Sequence, residues 1–272
     1  MRRILITGGY GYIGTNLKRF LYLYGGRDVV VDISDYNSII PLAQDLTLDQ
    51  IEKYDCIIHL AALSGIMACE ENYLDALESN LLTAINVFSK ATEFGIPVVF
   101  TSSQAVKNPF SSKYANLKFQ CEQFAELYNN RGGSIYTIRL ANVYGGNQYL
   151  EKKNTVIKQL IIKYNGNLPM ELHGDGKQTR DFIHVHDICR AILLILDKTP
   201  TEKSPMDIGS GVEIKLLDIV NDMFPRKQNN NYVFLEDRSA GASSSVADTS
   251  EAKKRIGFET ERNLKDYIRS MI

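Results

Sequence analysis

Thr7-Gly8-Gly9-Tyr10-Gly11-Tyr12-Ile13-Gly14 is the stretch on which the fold turns. It contains G-x-G-x-x-G at Gly9, Gly11 and Gly14, and equally G-x-x-G-x-x-G at Gly8, Gly11 and Gly14. The apolar run Ile4 to Thr7 precedes it and an amphipathic run from Tyr12 to Tyr24 follows, so the glycines join a strand to a helix. Residues without side chains there let the backbone approach a pyrophosphate, which sits on the free amides and partial positive charge of the helix N-terminus. A plain tight turn would use the same glycines. Asp32 favours the binding reading, because it ends the next strand, Asp28 to Asp32, 18 residues past Gly14. A carboxylate in that place accepts both hydroxyls of an adenosine ribose. It also repels a 2′-phosphate, and Ile33 rather than an arginine follows it, so NAD is expected over NADP.

Outward from this turn, apolar runs recur at Cys56 to Leu60, Pro97 to Thr101 and Ser134 to Leu140. Short apolar runs separated by helical patterns indicate parallel strands buried on both faces, hence an α/β, doubly wound Rossmann sheet. Wide apolar faces on Tyr73 to Thr92 (Leu74, Leu77, Leu81, Ile85, Phe88) and Lys113 to Tyr128 (Leu117, Cys121, Phe124, Tyr128) serve either to cover the sheet alone or to meet a second subunit as well. Beyond Gly145 the alternation loosens. Short strands at Met170 to Leu172, Arg180 to His184 and Met206 to Ile208 mix with helices at His186 to Leu196 and Lys215 to Met223. The expected division is an NAD-binding domain over 1–145, to which some later segments return, and a smaller, mainly substrate-binding region over 146–272. Arg226 to Asn231 and Arg238 to Ser245 read as loops.

The 272 residues suffice for one large α/β unit, and 44% hydrophobic with 23% charged residues excludes a disordered chain. A net charge of -1 offers no basic surplus for nucleic acid or an anionic membrane, so any phosphate must be met by a few placed cations. No apolar run is long enough to span a bilayer. Cys56, Cys69, Cys121 and Cys189 are scattered, without metal-ligand spacing, and read as reduced buried thiols of a cytoplasmic protein. No metal is expected; His184 and His186 lack accompanying ligands and read as structural.

Tyr114 and Lys118 stand four apart on a predicted helix and project from one face. An ammonium beside a phenol favours the phenolate, moving a group with a pKa of ~10 towards working pH, as a base for a sugar hydroxyl requires. The same spacing is common on surface helices. Thr101-Ser102-Ser103 adds to it, since these hydroxyls end a strand where open α/β sheets place their ligands.

Together these residues resemble the extended short-chain dehydrogenase/reductase family, in its NAD-dependent nucleotide-sugar epimerase/dehydratase branch. The likeness runs through the glycine turn, Asp32, His59-Leu60-Ala61-Ala62, Asn80, Ser102-Ser103, Tyr114 with Lys118, and Arg139 to Gly145. It continues through Gly174-Asp175-Gly176, Arg180 to Val185, Asp207 to Gly211, and Arg238 ahead of Ala247 to Ser250. The resemblance implies Tyr114 as general base, Lys118 as holder of the nicotinamide ribose that also lowers the tyrosine pKa, and Ser103 as orienter of the substrate hydroxyl. It implies further cofactor contacts at Gly8, Gly11, Tyr12, Ile13, Gly14, Asp32, Asp45, Leu46, Leu60, Ala61 and Ala62. Asn142, Arg180 and Arg238 would grip a nucleotide diphosphate, and guanidinium forks suit that task on chemical grounds alone. A homodimer through the helices near 73–92 and 113–128 is implied as well.

Three departures stand out. Family dehydratases usually carry an Asp-Glu or Asp-Lys pair after the catalytic hydroxyl, whereas Gln104-Ala105 follow Ser103 here, which favours epimerisation at carbon 4 through a transient 4-keto sugar. Lys107-Asn108 replace the usual Tyr-Gly, and Tyr114 comes only 11 positions after Ser103, a shorter spacing than is usual. Those changes keep two other readings open: a nucleotide-sugar 4-ketoreductase or dehydrogenase, and a non-catalytic NAD-binding regulatory protein.

Overall fold

The computed structural model describes residues 2–24, 29–34, 48–146, 155–223, 232–235 and 246–272. Its main sheet has six strands in the order β10-β5-β4-β3-β1-β2. These are β1 (Arg2–Thr7), β2 (Val29–Ser34), β3 (Cys56–His59), β4 (Val98–Ser103), β5 (Ile135–Leu140) and β10 (Met206–Ile208), all paired in parallel. The strands are continuous apolar runs because both faces are covered: Ile57, Ile58, Val98 and Val99 are wholly buried. One face packs on α1 (Tyr12–Tyr24) and α7 (Val185–Lys198) through Leu17, Leu21, Ile188 and Ile192. The other packs on α4 (Thr83–Glu93) and α5 (Lys113–Asn129) through Val87, Phe88, Leu117 and Cys121. As expected, all four cysteines are buried and free.

Between β3 and β4 the chain forms α2 (Ile66–Glu71) and α3 (Tyr73–Ala76) before reaching α4. The single helix expected over Tyr73 to Thr92 is therefore interrupted, by a π-helical turn at Leu77–Leu82. Local hydroxyls take carbonyls that a regular helix would bond, with Ser79 Oγ donating to Asp75 O (2.6 Å) and Thr83 Oγ1 to Glu78 O (3.0 Å).

Small pairings follow β5: β6 (Asn142–Tyr144) with β9 (Phe182–His184), β7 (Met170–His173) with β12 (Tyr232–Leu235), and β8 (Thr179–Arg180) with β11 (Ile214–Lys215). With α6 (Val156–Asn165), α8 (Leu216–Met223) and α10 (Leu264–Met271) they surround a second apolar core that includes Tyr144, Phe182, Ile219 and Leu264. Near it, α9 (Ser250–Ile256) turns back to cover β10 and α7. The strand expected over Arg180 to His184 is broken at Asp181, whose side chain turns inward. Its carboxylate accepts from Ser210 N (2.8 Å), Ser210 Oγ (2.6 Å), Gly211 N (2.9 Å) and Ala247 N (3.1 Å). No described helix is long and apolar enough to cross a membrane.

Candidate active site

Strand β1 leads into Gly8, which has φ +70 and lies under the backbone leaving β3. A Cβ there would come within 2.7 Å of Ala61 N, and one on Gly14 within 2.4 Å of Gly8 O, so neither position admits a side chain. Gly11 N donates to Gly8 O (3.0 Å) and closes the turn. Helix α1 then starts at Tyr12 with no acidic residue in its first turn, so no carboxylate competes with an anion for its positive N-terminal end. These residues fit the pyrophosphate of a dinucleotide. Ile13 and Leu60 are partly buried on the α1-side core and Ala61 is buried beside the turn, with Ala62 following at intermediate exposure. Asp32 lies on β2 opposite Leu5 of β1. Asp45 and Leu46 lie outside the described residues. Tyr12 has a task beyond its amide: its buried hydroxyl donates to Gly145 O (2.6 Å), tying the head of α1 to the turn after β6.

His59, at the end of β3, pegs the adjacent strand ends together. Its Nδ1 shares a 2.7 Å hydrogen bond with Thr7 Oγ1, and its carbonyl accepts from Thr101 Oγ1 (3.2 Å). Burial, with the Lys118 charge adding to it, pushes the imidazole from 6.5 down to about 3, so it is neutral at working pH.

Ser103 is the last residue of β4, two positions further along the strand than the sequence pattern indicated. Its Oγ accepts from Ala105 N (3.2 Å), and the side chain stands close enough to the Tyr114 phenol to influence its titration. Tyr114 enters from the first turn of α5, which Ser112 caps by accepting from Ala115 N (3.1 Å). Lys118 is buried one turn later. Its Nζ donates to Thr101 O (2.9 Å) and lies 5.0 Å from the centroid of the Phe100 ring. The structure thus unites Ser103, Tyr114 and Lys118, but it corrects the expected electrostatics. Burial pushes the phenol up to about 12, the neighbouring Ser103 hydroxyl draws it down, and Lys118 is not among the groups that lower it. The ammonium is held by Thr101 and Phe100 instead.

Two anchors of α5 carried no role in the sequence reading. Glu122 continues the Tyr114–Lys118 face and forms a bidentate pair with Arg139 of β5, at 3.0 Å (Nε–Oε1) and 2.6 Å (Nη2–Oε2). Asn80, in the π turn, donates to Leu63 O (3.0 Å) and accepts from Leu63 N (2.6 Å), while its carbonyl accepts from the Cys121 thiol (3.3 Å). It fixes both the segment after β3 and α5. The quoted Asn80 and Arg139 motifs were the available signal; their partners are distant in sequence.

In the region expected to bind substrate, Asn142 Nδ2 and its backbone amide both donate to Asp181 O (3.0 Å each). The parallel β6–β9 register brings Asn142 opposite Phe182, close in sequence to Arg180. Arg180 Nη1 donates to Thr179 O (2.7 Å), whereas Asp175 pairs with Lys177 (3.1 Å). Arg238 lies outside the described residues. His184 caps α7, its Nδ1 accepting from His186 N (3.2 Å). Gln104, where the resemblance would lead one to look for a dehydratase acid, is buried and donates from Nε2 to Arg139 O (3.1 Å).

Residues 4–209 match the family described as NAD dependent epimerase/dehydratase. Over 99% of its length the chain is 27% identical to a putative UDP-glucose 4-epimerase of Methanocaldococcus jannaschii, covering 97% of that protein. It is 26% identical to dTDP-4-dehydro-6-deoxy-D-allose reductase of Streptomyces bikiniensis, with 96% and 92% of the two chains covered. In fold it is similar to MoeE5, solved in complex with UDP-glucose and NAD, with a TM-score of 0.85, 24% identity, and 99% and 97% coverage.

Proposed function

Because this chain belongs to the NAD-dependent epimerase/dehydratase family, as an extended short-chain dehydrogenase/reductase with NAD as its cofactor, we propose that it epimerises carbon 4 of a nucleotide-linked sugar. The observation that carries this reading is the convergence of Ser103, at the end of β4, with Tyr114 in the first turn of α5, a helix whose next turn holds a buried lysine. NAD, when bound, accepts a hydride from the sugar and returns it, and its cationic ring favours the phenolate. Tyr114 takes the proton of the 4-hydroxyl and later restores it. Ser103, with one lone pair engaged by Ala105 N, donates towards the reacting oxygen. Lys118 is the ligand for the nicotinamide ribose hydroxyls, and Gly8, Gly11, Tyr12, Ile13, Gly14, Asp32, Leu60, Ala61 and Ala62 make further cofactor contacts. Asn142, Arg180 and Arg238 would hold the nucleotide diphosphate while the 4-keto sugar turns to present its other face. Residues 1–145, with β10 and α7 joined to them, form the cofactor half, and the remainder mainly holds substrate. The inward-turned Gln104 leaves no acid there for expelling water, which supports epimerisation over dehydration.

A 4-ketoreductase is the second reading, favoured by the likeness to the Streptomyces enzyme. A panel of UDP-, dTDP-, GDP- and CDP-sugars with NAD, resolved by NMR, separates the two. An epimer appearing without net NADH supports the first reading, stoichiometric cofactor consumption supports the second, and NAD binding without turnover of any donor rejects both.

Two finer points belong to the same reading. The chain acts as a homodimer through α3, α4 and α5, where Leu74 (75% exposed), Leu82 and Leu127 offer apolar surface. It works in the cytoplasm, where its four free thiols stay reduced.

A further inference from the structure

The short link between Ser103 and Tyr114 raises a mechanical question, because the serine hydroxyl must be aimed with fewer residues than usual. After Ser103 the chain makes one tight 3₁₀ turn, Gln104–Lys107, which Ser103 itself caps through Ala105 N (3.2 Å). Lys107 ends that turn. Its ammonium lies 2.7 Å from Asp207 Oδ2 of β10 and donates to Val246 O (3.0 Å). Asp207 is nearly buried, also accepts from Asp248 N (3.0 Å), and stands opposite Arg139 in the β5–β10 register. Arg139 in turn grips Glu122, one turn beyond Lys118, and its carbonyl holds Gln104. Charges of alternating sign, Lys107, Asp207, Arg139 and Glu122, therefore run from the serine turn to the catalytic helix along the C-terminal edge of the sheet. The same ammonium reaches the chain at Val246, where the backbone is also held by the carboxylates of Asp181 and Asp207.

We propose that Lys107 is a positioning residue: bonded to Asp207 and Val246, it braces the serine turn against β10 so that Ser103 stays aimed at Tyr114 without a longer loop. The inference rests on the epimerase reading for its kinetic consequence, though not for its geometry. An exposed ion pair would contribute little, but here one partner is buried and removing the cation leaves a carboxylate short of a partner. Small misplacements of a catalytic hydroxyl act on rate more than on binding.

The test uses the NAD-loaded protein with Lys107→Met, Lys107→Arg and Asp207→Asn. Lys107→Met is expected to lower kcat about tenfold while KM and NAD affinity stay within about twofold, with Lys107→Arg recovering most of the rate. Asp207→Asn, which neutralises the pair from its other side, should reproduce the loss and serves if Lys107→Met does not fold. An unchanged kcat in both neutralised variants, or equal losses in kcat, NAD affinity and melting temperature, overturns the proposal. If the unaltered protein converts no nucleotide sugar, the epimerase reading fails by itself. Amide exchange at Ala105 then decides the brace: faster exchange in Lys107→Met upholds it, and unchanged exchange overturns it.

Discussion

The proposed cofactor half and the proposed substrate half hold their candidate functional groups in different ways. Around the glycine turn, function resides in the backbone: positions where a Cβ would strike a neighbouring main chain, and strand ends whose hydroxyls and imidazole bond one another. Around Asn142 and Arg180, strands of two and three residues are held by one buried carboxylate, Asp181, which gathers three backbone amides and a hydroxyl from segments far along the chain. The first arrangement is rigid by construction. The second depends on a single side chain, so its geometry can change without disturbing the cofactor, as suits a fold that keeps one cofactor while accepting different sugars.

The largest effect separates chemistry from both halves. Tyr114→Phe should reduce turnover by about 10³-fold or more while leaving bound NAD and the melting temperature in place, measured by steady-state kinetics and cofactor titration. Next, Asp181→Ala should cost about 3 kcal/mol or more of stability, since it strands buried donors, and should weaken nucleotide-sugar binding more than NAD binding. Denaturant unfolding with parallel titrations checks it; equal weakening of both ligands would erase the contrast between the halves. Gly14→Ala should act in reverse, with overpacking of about 1–3 kcal/mol expressed as weaker NAD affinity. At neutral pH the smallest effect, and one that grows as the medium is acidified, is common to both halves. His59 and His184 are held neutral by burial, at about 3 and about 4. Below pH ~6.5 the unfolded chain takes up protons that these imidazoles refuse, so stability should fall as pH drops from there towards 3. His59→Phe should flatten that acid limb in pH-dependent melting curves.

The same contrast governs what the sequence made legible. Gly8 and Gly14 could be read directly, because a residue type without a side chain marks a backbone constraint. Tyr114 and Lys118 could be read because four residues make one helical turn, and Ser103 because strand ends carry ligands. The π turn at Leu77–Leu82 went unread, since its cause is hydroxyl bonding to local carbonyls within an otherwise helical apolar pattern. Asp181 looked like one residue of a continuous strand, yet its partners Ser210 and Ala247 lie 29 and 66 residues away. The lysine's effect on the phenol was misjudged for a related reason: helical spacing gives proximity, but the Thr101 carbonyl and the Phe100 ring that hold Lys118 come from β4.

Isotope transfer tests the central claim most directly. With the converted nucleotide sugar carrying deuterium at carbon 4, one hydride must leave and return within the same closed cycle. The account predicts an epimer that retains the label at carbon 4, with no deuterium lost to solvent and no NADH released. Loss of the label to solvent, or a product inverted at a carbon other than carbon 4, would contradict it.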